Sequence, residues 1–142
     1  MLKIEKSAYE KMIGHVKQSY PYECCGLLAG YIRGDEKTAL GAHPVDNLNK
    51  DKPETRYNMD PVGFIRTEKI AAIEGREIVG IYHSHPDHPP KPSKTDLDNS
   101  WPVYSYIIVA IAKGETIEAQ NWCLNGAGDE FLAEDYFVVD QV

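Results

Sequence analysis

Apolar residues recur along this 142-residue chain at two different spacings. Tyr9, Met12, Ile13 and Val16 follow a helical period, with Ser7 suited to cap the first turn and Pro21 setting the far limit. His15 lies beside that stripe and reads as a half-exposed helix residue. Residues 25–31 form a compact apolar run between glycines, the pattern of a buried strand. Arg33-Gly34-Asp35 predicts a turn, and residues 38–43 a second strand pairing back on the first. Residues 44–58 are polar, with two prolines, and read as a loop ending in a short strand.

Asp60-Pro61 predicts a helix start, an N-cap followed by proline at the first helical position. Phe64, Ile65, Ile70 and Ile73 give that helix a rough apolar side. Residues 77–82 read as a strand, and 83–92, with four prolines, as irregular chain. A short helix is expected from Ser93. Residues 104–112 are near-continuously apolar, as in a central strand, and 116–124 alternate as in a half-buried one. Lys113-Gly114-Glu115 is the turn between them, and 131–139 are expected to form one last strand. Strands alternate with helices while two hairpins are also present. The predicted fold is therefore α/β with a mixed sheet, in a single domain over residues 1–142.

Composition narrows the function classes. The formal net charge is −7 and no Lys/Arg run interrupts it, which disfavours a nucleic-acid partner. The longest apolar stretch, 106–112, is far short of a membrane span, and the first dozen residues carry no secretion signal. The expectation is a cytoplasmic protein without membrane contact. Cys24, Cys25 and Cys123 are an odd count with two adjacent members, a poor disulfide framework, and read as reduced buried thiols.

The chemistry concentrates in His83-Ser84-His85-Pro86 and Ser93-Lys94-Thr95-Asp96. On a strand, residues i and i+2 share a face, so His83 and His85 project together and Ser84 points away. Asp96, in the first turn of the next helix, adds a carboxylate. Two neutral histidines and one carboxylate, with a position left for water, match a catalytic zinc site. Ser93 and Asp96 also suit a helix capping pair, which by itself accounts for both. Asp87 and His88 stand in the same loop as rival ligands or bystanders, and His43 reads as structural.

At every defined position, His83-Ser84-His85, seven residues, Ser93, two residues and Asp96 resemble the JAMM signature of MPN-domain metallopeptidases. Residues 22–30 resemble the segment bearing that family's upstream glutamate. Asn47 and the run Arg56-Tyr57-Asn58-Met59-Asp60-Pro61 resemble the middle of its bacterial members. The resemblance spans about residues 3–124. It implies a three-layer α-β-α domain, a curved mixed sheet flanked by helices, similar in layering to cytidine deaminases. It implies Zn²⁺ on His83, His85 and Asp96, Glu23 as the base that handles water, and Ser93 as a donor to the oxyanion. The implied reaction is hydrolysis of an amide after the C-terminal tail of a ubiquitin-like protein. The chain resembles compact members without long insertions, which implies a sulfur-carrier partner and release of cysteine from its terminal glycine, with trimming of such carriers or their removal from lysines as the alternatives. A sheet edge beside the metal is expected to take the tail by strand addition. Trp101, Tyr104 and Tyr57 are candidates to line the groove, and the preferred reading is that they are packing residues. The rival class is a metal-free MPN scaffold that only binds partners. A zinc nucleoside deaminase expects H-x-E and P-C-x-x-C, and neither occurs.

Overall fold

Eight strands in the order β7-β6-β5-β4-β2-β3-β1-β8 build one mixed sheet in the computed structural model, which describes residues 1–141. They are β1 (Leu2–Glu5), β2 (Cys25–Arg33), β3 (Glu36–Val45), β4 (Glu77–Pro86), β5 (Ser105–Ala112), β6 (Thr116–Leu124), β7 (Phe131–Ala133) and β8 (Tyr136–Val139). Helices α1 (Lys6–Ser19), α2 (Pro61–Ile73) and α3 (Lys94–Asp98) complete it. β1 is parallel to β3 and β8, and β4 is parallel to β5; the remaining pairs are antiparallel.

Alternation along the inner strands sorts side chains onto two cores. Leu28, Tyr82, Ile107 and Val109 pack with Met12 and Val16 of α1 on one face. Leu27, Ala29, Ile81 and Tyr106 pack with Ala71 of α2 on the other. The result is the expected three-layer α-β-α arrangement. Gly30, at an irregularity between β2 and β3, is obligatory, because a Cβ there would lie 1.8 Å from the Thr38 carbonyl oxygen.

Several expectations need correction. The chain enters α1 from a strand, β1, and Glu5 rather than Ser7 holds the N-cap position. The buried side of α2 is Thr67 and Ala71, with Phe64 partly buried; Ile65, Ile70 and Ile73 are exposed. Thr67 tolerates burial because its hydroxyl donates to the Gly63 carbonyl at 2.9 Å. The last strand is two. β7 pairs with β6 at one edge of the sheet, and β8 pairs with β1 at the other. Only Glu134 and Asp135 lie between them, so the sheet must curl until its edges nearly meet. β4 also runs further than expected. It stays paired with β5 through His83↔Ile108, His85↔Ala110 and Pro86↔Ile111, and the irregular loop begins only at Asp87. No helix among the described residues is long and apolar enough to cross a membrane.

Candidate metal centre

Tyr82 faces the α1 core and Ile81 the α2 core, so His83 and His85 emerge on the α2 side and Ser84 on the α1 side. Both imidazoles are buried. Their Nε2 atoms lie 3.1 Å apart, and Asp96 Oδ2 is 3.4 Å from the first and 3.5 Å from the second. Four-coordinate zinc, with bonds of roughly 2.0–2.2 Å, sets its ligand atoms about 3.3–3.6 Å apart. Asp96 therefore already stands at the required separation from both rings, and the two rings are slightly closer to each other than such an ion would set them. His85 Nδ1 donates to the Pro89 carbonyl at 2.7 Å; a carbonyl only accepts, so Nδ1 keeps its proton and Nε2 is the nitrogen left for a metal ion. Burial lowers the pKa of His85, but Asp96 and the Pro89 carbonyl outweigh it and raise it, so Asp96 favours a proton on Nε2 that an ion would displace. Burial depresses the pKa of His83, which keeps that ring neutral and able to ligate. Burial by itself would raise the pKa of Asp96, but hydrogen bonding to His83 and His85 outweighs it and holds the carboxyl far below its usual range.

Local sequence explains how Asp96 arrives. Ser93 is the N-cap of α3: its Oγ accepts from the Asp96 amide at 3.0 Å, and Asp96 Oδ2 accepts from the Ser93 amide at 2.8 Å. This capping box was one of two readings of the pair, and it does not exclude the other. A serine hydroxyl has one proton besides two lone pairs, so Ser93 accepts from Asp96 and keeps its proton to donate into the cavity it lines.

Glu23 is buried and lines the same cavity. The backbone pins it from both sides. Cys24 N donates to Ser84 Oγ at 2.9 Å and Ser84 N to Cys24 O at 3.0 Å, which ties the segment of Glu23 to the strand that carries His83 and His85. Glu23 N donates to the Pro53 carbonyl at 2.7 Å. Burial raises the Glu23 pKa to about 8; His85 and Arg56 pull against that shift and Asp96 adds to it. A carboxyl near neutrality suits exchange of a proton at working pH.

His88 is no member of the His83–His85–Asp96 group. Its ring stacks on His85 with centroids 4.0 Å apart, and one of its nitrogens lies within 4.8 Å of ligand-type atoms of Glu23 and His85. Tyr57, Tyr104 and Trp101, read as packing residues, all line the cavity, which has a volume of about 580 Å³. β4 stays paired with β5 through Pro86, whereas on its other side the pairing with β2 ends at Cys25↔His83, followed by one bond from Ser84 N to Cys24 O, so the short stretch at His85 and Pro86 has no strand partner on that side. Cys25 opposes His83 across the β2–β4 pair but donates its thiol toward the Val45 carbonyl at 3.5 Å, and burial pushes its pKa up. All three cysteines are free.

This chain and its fold have counterparts among known proteins. The family described as prokaryotic homologs of the JAB domain matches residues 5–123, and the chain belongs to it. A desampylase from Haloferax volcanii is 34% identical over 135 residues, covering 92% of this chain and 91% of the desampylase. A probable TtuB-protein conjugate cleaving protease from Thermus thermophilus is 31% identical, covering 76% of this chain and 69% of the protease. Among solved structures, a protein from Desulfitobacterium hafniense superposes with a TM-score of 0.88 at 27% identity, covering 100% of this chain and 95% of that one. A JAB1/MPN domain protein from Archaeoglobus fulgidus, at 19% identity and a TM-score of 0.55 over 96% of this chain and 98% of that one, shares the fold.

Proposed function

We propose that residues 1–142 act as one zinc-dependent peptidase domain, hydrolysing the amide bond after the C-terminal glycine of a ubiquitin-like protein of the sulfur-carrier kind. The observation that carries this reading is the convergence of His83, His85 and Asp96 at 3.1–3.5 Å beside Glu23, at the wall of an open cavity. The names of the two similar enzymes, a desampylase and a TtuB-conjugate protease, support the substrate class.

A zinc ion on His83, His85 and Asp96 supplies Lewis acidity, which polarises a carbonyl and lowers the pKa of water to about 7. Glu23 removes a proton from the attacking water and returns it to the leaving amine, so the carboxylate is restored each turnover. Ser93 donates its hydroxyl proton toward the oxygen on which negative charge develops. The cavity walls of Phe64, Tyr104 and Trp101 offer an apolar trough for an extended tail. Three free thiols support a reducing, cytoplasmic setting.

The test is incubation of the zinc-loaded protein with a ubiquitin-fold sulfur carrier bearing cysteine, or a lysine-linked protein, on its terminal glycine, read by intact mass. The expected product is the carrier ending at that glycine, with no product after chelation. Unchanged masses from every conjugate, with one zinc bound, would overturn the substrate class and leave the metal reading standing.

A further inference from the structure

The two histidines of the metal centre are not held alike. His85 has the Pro89 carbonyl behind it. His83 is 1% exposed, and its Nδ1 is buried without a hydrogen-bond partner among the described residues. Metal-ligating histidines ordinarily donate that second nitrogen to a carboxylate, a carbonyl or water, which fixes the ring. Something else must orient His83.

The Tyr57 ring lies on it, with centroids 4.6 Å apart and planes inclined by 26°. Tyr57 belongs to the loop 46–60, whose only pairing of strand type is the single bridge Asn47↔Met59. One side chain organises that loop. Asn47 Nδ2 donates to the Arg56 carbonyl at 3.1 Å and Asn47 Oδ1 accepts from the Asn58 amide at 2.9 Å, so it grips the backbone on both sides of Tyr57. The same Nδ2 donates to the Glu23 carbonyl at 3.0 Å. A second tether crosses the site: the Arg56 guanidinium donates to the Thr95 hydroxyl, next to Asp96.

We propose that Asn47 and Tyr57 are a positioning unit for the metal centre: the Tyr57 ring orients His83 where a hydrogen bond is missing, and Asn47 locks that ring in register with the backbone of Glu23. The proposal rests on the metal reading above. It also accounts for the Asn47 and Arg56–Pro61 motif, which the catalytic roles leave unused. The chemistry favours the loaded state. Coordination draws electron density from an imidazole, and an electron-rich phenol face attracts the ring more as it becomes more positive. The ring carries this effect, because the Tyr57 hydroxyl makes no hydrogen bond among the described residues.

Zinc affinity, measured by competition with a chromophoric chelator, and the visible spectrum of the cobalt-substituted protein test this without reference to turnover. Tyr57→Phe keeps the ring and is expected to match wild type in both. Tyr57→Leu keeps bulk without the aromatic face, and it is expected to weaken zinc by about 10–100-fold and to shift the cobalt bands. Asn47→Ala is expected to move both readouts the same way, less far. A role in folding alone would lower thermal stability and leave affinity and spectrum of the folded protein unchanged. Wild-type zinc affinity and cobalt bands in Tyr57→Leu would overturn the proposal, and so would a Phe variant as weak as the Leu variant. Absence of zinc binding by the wild type would instead overturn the metal reading itself.

Discussion

Glu23→Gln is expected to leave one zinc bound and to lower turnover of a carrier conjugate by about 10²–10⁴-fold, the usual contribution of a positioned acid–base group. Glutamine preserves the shape of the side chain and the backbone bonds to Pro53 and Asn47, so the loss reports the carboxylate alone. Wild-type turnover in this variant would remove Glu23 from the mechanism. The same substitution has a signature in stability. Burial raises the Glu23 pKa from its ordinary 4.5 to about 8, so the folded protein holds a proton that the unfolded chain has lost between those values. Stability from this group is complete below about pH 4.5 and is lost as pH rises through about 8. In chelator, wild type should lose up to about 1.4 kcal/mol per pH unit in that window relative to Glu23→Gln. Denaturant titrations of the two proteins at pH 5 to 8 measure the difference.

Glu134→Ala is expected to cost about 1.5–3 kcal/mol, the usual worth of hydrogen bonds to a charged, partly buried group. Glu134 sits between β7 and β8, where the curled sheet nearly closes, with its side chain 10% exposed. Its Oε2 is 3.2 Å from Lys37 Nζ, whose side chain is 13% exposed. Its Oε1 accepts from Asn121 Nδ2 at 2.8 Å and from the Ser105 hydroxyl. Removal leaves a lysine charge and an amide without partners at the seam. For a chain of 142 residues the loss corresponds to a fall in Tm of roughly 5–10 °C. A shift under about 3 °C would show that the seam is held by its backbone bonds, such as Leu2 N to Asp135 O at 3.0 Å.

That seam marks where sequence reasoning ran out. Residues 131–139 read as one strand because apolar residues continue across Glu134 and Asp135, and nothing local says that the chain changes edges there. β1 was missed for a related reason: four residues carry too little pattern, although Leu2 and Ile4 alternate correctly. The strands that a core encloses were legible. β5 has seven buried residues in succession, and the exposed and part-buried alternation of β6 matches its half-buried reading. On α2 the helix itself was evident from Asp60-Pro61, but its buried side was not, because Thr67 and Ala71 are less apolar than the exposed isoleucines.

At the site the convergence of His83, His85 and Asp96 was legible because period-two geometry and helix capping act over a few residues. His83 and His85 share a face, and the capping box sets Asp96 toward them. What surrounds the ligands was not. Tyr57 reaches His83 only because Asn47 folds a fifteen-residue loop onto the backbone of Glu23, a tertiary arrangement with no periodicity to betray it. His88 stacks on His85 for a reason visible only in three dimensions, its Nδ1 bonded to the Pro86 carbonyl at 2.8 Å.

Elemental analysis of the purified protein beside Asp96→Ala bears most directly on the claim that three side chains hold one ion. One equivalent of zinc is expected in the wild type and well under a tenth of that in the variant after dialysis. Zinc absent from both, or retained in full without Asp96, would contradict it and turn attention to a scaffold that binds partners without metal.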